Sequence, residues 1–110
     1  MGAPFEITTS DEAVFLANPP APQRVITRAE LSAVMVETHV SGHLVTDVWW
    51  LLYGRPDEPA VRVPQGSPGE EGLVQWLMLL PGFDIDTLAH AMRFRGNETF
   101  QLWRASAAPL

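Results

Sequence analysis

A chain of 110 residues, 46% hydrophobic and 18% charged, carries enough apolar mass for one core, no second folding unit and little disorder. Its 13 acidic against 7 basic residues, a formal net charge of -6, are the wrong sign for holding phosphate backbones by counterion release, so nucleic acid is not expected as a partner. The absence of cysteine removes disulfides, thiolate metal sites and a cysteine nucleophile.

Every basic residue is arginine, and no function follows from that bias. The segment from Met1 to Glu6 has no basic region leading into an apolar stretch, so no signal peptide is expected. Glu6 stands where myristoylation needs a hydroxyl. A cytoplasmic location is the default expectation. The longest apolar run, Val48 to Tyr53, is far below the ~20 residues that span a bilayer, so no membrane insertion is expected.

In chain order, Phe5 to Thr9 and Ala13 to Ala17 are β-prone runs separated by the polar turn Ser10-Asp11-Glu12, which predicts an opening hairpin. Asn18-Pro19-Pro20-Ala21-Pro22 removes donors and fixes φ, and reads as a surface loop. From Ser32 to Val40, Val34, Val36, Thr38 and Val40 alternate with Ala33, Met35, Glu37 and His39, the period of a strand. Ser41-Gly42 supplies a turn into a second strand, His43 to Tyr53, whose latter half is apolar on both faces. Such a strand needs cover on both sides, from helices on one and from loops or another subunit on the other. A short strand over Ala60 to Val63 follows the loop from Gly54 to Pro59.

Ser67-Pro68-Gly69-Glu70 matches a helix start, with Ser67 as N-cap and Glu70 closing a capping box. Leu73, Trp76, Leu77 and Leu80 then share one helical face, widened by Val74 and Met78, and predict a deeply buried helix. Asp84 caps a second helix carrying Ile85, Leu88, Ala89 and Met92, with Gly96 as its stop. Thr99 to Arg104 alternates again and closes the fold as a strand, and the tail from Ala105 reads as frayed.

Three residues, His39, His43 and Asp47, have the types of a metal or acid/base site: two imidazoles and a carboxylate with an open position. The plainer reading sets the two histidines beside an exposed turn and Asp47 at a sheet edge, and the expectation is no metal. His90, between Ala89 and Ala91, is expected to face solvent without a partner. No serine sits in a G-x-S-x-G elbow, which leaves a serine hydrolase unsupported. Gly66, Gly69 and Gly72 open a helix, but Glu70 and Glu71 in its first turn would repel a phosphate. Asp57-Glu58, Glu70-Glu71 and Asp84/Asp86 lie in turns or helix starts, where solvation or capping accounts for them. Of the four tryptophans, Trp76 joins the helical stripe, while Trp49 and Trp50 must point to opposite faces of a strand. One of these two lies outside the monomer core, and Trp49, Trp50 and Tyr53 are the candidate interaction residues.

Asp47-Val48-Trp49-Trp50-Leu51-Leu52, Pro64-Gln65-Gly66 and Leu80-Pro81-Gly82-Phe83-Asp84, with Asn97 and Trp103 near the end, resemble a family of small bacterial proteins. The likeness spans about residues 24 to 104. It implies no activity, since its recurring residues read as fold punctuation. The strand meander followed by helix is also similar to pleckstrin-homology-like bacterial domains, which implies a roll. A closing strand after two helices departs from their single terminal helix.

The expectation is one α+β domain over residues 1–110, with its core about 4–104. It is a mostly antiparallel sheet of about six strands, two consecutive C-terminal helices and a closing strand. Its expected function is a non-enzymatic binding or protein-interaction domain, without a cofactor, that forms a homodimer. One alternative is an acidic immunity- or antitoxin-like protein neutralising a basic partner, and another a metal-dependent enzyme using His39, His43 and Asp47.

Overall fold

The computed structural model describes residues 5–41 and 45–105. Among them the fold is α+β, with nine elements in chain order. Strands β1 (Glu6–Thr9), β2 (Ala13–Ala17) and β3 (Arg24–Thr27) precede β4 (Ala33–Ser41), β5 (Val45–Tyr53) and β6 (Val61–Pro64). Helices α1 (Glu70–Met78) and α2 (Ile85–Arg93) follow, and β7 (Glu98–Arg104) closes the chain. No helix among the described residues is long and apolar enough to cross a membrane.

The strands divide into two antiparallel sheets, β1-β2-β3 and β6-β5-β4-β7, where the sequence suggested one. The division falls at the turn after β3. There Thr27 and Glu30 cap each other: the Thr27 N–H donates to Glu30 Oε1 (3.2 Å), and the Glu30 N–H to Thr27 Oγ1 (3.1 Å). This reciprocal pair satisfies backbone donors that would otherwise continue the ladder, and the chain leaves the first sheet for the second. Strand β3 itself escapes the periodicity rule, because four residues after a proline-rich loop are too few to display a period.

Between β6 and β7 the chain passes from one edge of the four-stranded sheet to the other, and the two helices make that crossing. They share one face of the sheet with the β1-β2-β3 layer. Val34 and Val36 of β4, Val48, Trp50 and Leu52 of β5, and Val63 of β6 are buried there against Leu16, Ile26, Leu73 and Leu77. Helix α1 packs beside β1, and α2 beside β7 and β4. A bulge leaves Leu102 unmatched between Gln101 and Trp103 opposite β4. The Leu102 carbonyl accepts from the Asp84 N–H (2.8 Å), fixing where α2 begins.

Helix α2 starts as the sequence predicts: Asp84 is its N-cap and accepts from the Thr87 N–H (2.9 Å). The Thr87 hydroxyl, and then its backbone N–H, hold the Asp84 carboxyl below the usual carboxylate range. Helix α1 starts otherwise. Its N-cap is Gly69 rather than Ser67, whose hydroxyl is buried and donates to the Pro64 carbonyl (2.8 Å). Gly69 takes φ of 90° because α1 docks directly on β1, where the Ile7 N–H donates to the Pro68 carbonyl (2.9 Å). Met78, expected in the buried stripe, is 45% exposed. Gly96 is not the stop of α2, which ends at Arg93; its carbonyl instead accepts from the hydroxyl of buried Thr38 (2.7 Å).

Gly69 and Gly82 both hold positive φ, but only at Gly69 would a Cβ run into backbone, the Ile7 carbonyl. Gly82→Ala is expected to cost the ordinary left-handed penalty of about 1–2 kcal/mol. Gly69→Ala adds displacement of β1 and is expected to cost at least about 3 kcal/mol. Urea unfolding of the two variants checks this order, and equal losses would contradict the docking of α1 on β1.

Candidate functional site

Strand β5 places chemistry on both faces of the sheet. Its two-residue period sends Val48, Trp50 and Leu52 into the core, and Asp47, Trp49, Leu51 and Tyr53 to the outer face. Of the adjacent tryptophans it is therefore Trp50 that turns inward, 2% exposed, and Trp49 that lies outside, half-buried.

On the outer face, register sets Leu51 opposite Met35, Trp49 opposite Glu37, Tyr53 opposite Ala33 and Asp47 opposite His39. Strand β6 adds Arg62 beside Leu51 and Pro64 beside Trp49. No described helix or strand is layered over this face, since all of them pack on the other side. Among the described residues, no element supplies the expected second cover. Even so, Leu51 is only 5% exposed, with Met35 and Arg62 as its cross-strand neighbours. The Arg62 guanidinium lies 5.2 Å from the centroid of the Trp49 ring and 2.9 Å from Glu37 Oε1.

His39 Nε2, when it carries the proton, donates to the same Glu37 oxygen at 2.8 Å. That hydrogen bond, reinforced by the charge of Arg62 and opposed by burial, holds the Glu37 carboxyl below its usual 4.5. The partner of His39 here is a carboxylate of its own strand. Among the described residues no three His, Cys, Asp or Glu side chains are grouped to hold a metal. His43, the other imidazole of the metal reading, lies outside the described residues.

On the core side, Trp50 and residues of α1 and α2 line a cleft of about 400 Å³. Val74 of α1 faces it, with Leu88 and Met92 of α2, and Gln65 and Gln75 stand beside Glu70 and Glu71. Glu70 does not close a capping box with Ser67. Its carboxylate accepts from the Trp50 indole Nε1 (2.7 Å) and from the Gly66 N–H (3.0 Å), so a backbone donor that a phosphate would need is already taken. His90 is exposed, as expected, yet has neighbours: its ring lies 5.9 Å from Phe94 and 5.6 Å from Phe100.

Sequence reasoning placed Trp49 and Tyr53 on a candidate surface and missed the company they keep. Arg62 sits in a strand too short to show which face it presents. The cleft joins residues from three separate segments; the sequence marks Val74, Leu88 and Met92 as helical stripes and Glu70 and Glu71 as a helix start, without showing that they border one slot over Trp50.

The depressed Glu37 pKa has a direct consequence. A carboxylate held below its unfolded value stabilises the fold above that value, and the contribution is lost as pH falls through the folded pKa. Glu37→Gln is therefore expected to lower stability by about 0.5–1 kcal/mol at neutral pH, with the gap closing as pH drops below 4.5. Thermal melts of both proteins across this range check it, and a gap independent of pH would contradict the assignment. No model of a known protein family, no curated protein and no solved structure matches the chain.

Proposed function

We propose that this chain is a non-enzymatic binding domain that self-associates through the outer face of its four-stranded sheet. The observation that carries the reading is the succession Trp49, Leu51, Tyr53 on that face, with Met35 across from Leu51, where an antiparallel sheet facing water would show polar residues. Aromatic residues, Met and Arg together are the composition of interface cores. Around the apolar stripe lie carboxylates, Glu37 and Asp47, and the guanidinium of Arg62. A patch bearing both signs complements a rotated copy of itself, as a two-fold interface requires.

Sedimentation equilibrium over a wide concentration range tests this. The wild-type chain is expected to behave as a dimer, and Tyr53→Lys and Trp49→Thr, each with an unchanged circular dichroism spectrum, as monomers. A wild type that stays monomeric at every concentration, or a dimer indifferent to both substitutions, would refute the proposal.

A further inference from the structure

The cleft between the helices arises from how they are anchored. Helix α1 docks at β1 through Gly69, while α2 is tied to the opposite part of the core face, at β7 and β4, through Asp84 and Leu102. Their apolar stripes would ordinarily close on each other. Val74 and Leu88 remain half-buried and Met92 is 37% exposed, so the surface that helix packing would have consumed lines a slot. Its size, about 400 Å³, falls within the range of small-molecule sites.

The charge of that slot has one sign. Glu70 and Glu71 border it, and no Arg or His does. Glu70 is held in place by Trp50 and Gly66, whereas Glu71 has neither a hydrogen bond nor an ion pair among the described residues. Within this first turn the helix itself favours anions, so the carboxylates are stable there without a counter-ion. Met92 offers a polarisable sulfur to an aromatic body, with its Sδ accepting from Gln65 Nε2 (3.6 Å) at one end of the slot.

We infer that this cleft binds small organic cations with an apolar body, of the arylalkylamine kind, the ring lying between Val74, Leu88 and Met92 and the ammonium group directed to Glu71. Anions are rejected by the two carboxylates. The site opens on the side of the sheet opposite the self-association face and stands independently of it.

The test titrates 2-phenylethylammonium, its neutral counterpart 2-phenylethanol and its anionic counterpart 3-phenylpropionate into the ¹⁵N-labelled 110-residue chain. The cation is expected to shift, saturably, the amides of residues 70–75 and 88–92 and the Trp50 indole signal, the alcohol to do so more weakly, and the anion not at all. Glu71→Gln, at an exposed position, is expected to weaken the cation about threefold and leave the alcohol unchanged, the scale of a solvent-exposed ion pair. Met92→Trp, which fills the slot from an exposed position, is expected to abolish binding of both. Equal binding of cation and anion, shifts centred elsewhere, or binding that survives Met92→Trp would overturn the inference.

Discussion

The hydrogen bond from the Trp50 indole to the Glu70 carboxylate is the constraint around which this domain is arranged. A buried indole removes 150–250 Å² of mostly apolar surface from water, about 4–6 kcal/mol at the usual coefficient, provided its N–H finds a partner. Here the partner comes from the first turn of α1, so the side chain that fills the centre of the sheet also fixes the helix above it. A charged acceptor makes the bond stronger than a neutral one would be. The same carboxylate takes the Gly66 N–H and thereby shapes the turn by which the chain leaves β6.

Once Trp50 faces inward, strand geometry sends Trp49 outward, and the character of the outer face follows. Arg62 over the Trp49 ring and Glu37 beneath both His39 and Arg62 cover part of an apolar stripe that no described element covers. On the inner side, α1 is bound to one end of the core and α2 to the other, so their separation is a result of anchoring rather than of poor packing. The three remaining indoles differ in the same way. Trp76 donates to the Ser10 carbonyl and Trp103 to the Pro81 carbonyl, each tying a distant loop down, while Trp49 has no hydrogen bond among the described residues.

Much of this was legible in the chain. Alternation over 33–40, the β-rich run ending at Tyr53, the opening hairpin and the Asp84 cap each correspond to an element that formed where expected. These are local signals, carried by neighbours in sequence. What the sequence concealed was long-range. Ser67 and Glu70 have the spacing of a capping box, yet Ser67 turns to Pro64 and Glu70 to a tryptophan twenty residues earlier, because burying the indole with its N–H satisfied outweighs a solvent-exposed cap. The split into two sheets depended on a Thr27–Glu30 reciprocal bond that resembles any polar turn. Both candidate surfaces follow from which face each strand or helix presents, and for short β6 and the stripes of α1 and α2 that was settled only by docking.

The central claim is the opposite facing of two adjacent tryptophans, and hydrogen exchange at the four indole N–H groups tests it most directly. In the Tyr53→Lys variant, expected to be monomeric, the account predicts that the Trp50 indole proton, hydrogen-bonded and buried, is among the slowest to exchange, and that the Trp49 proton is the fastest. Rapid exchange at Trp50 together with protection at Trp49 in the monomeric chain would contradict it.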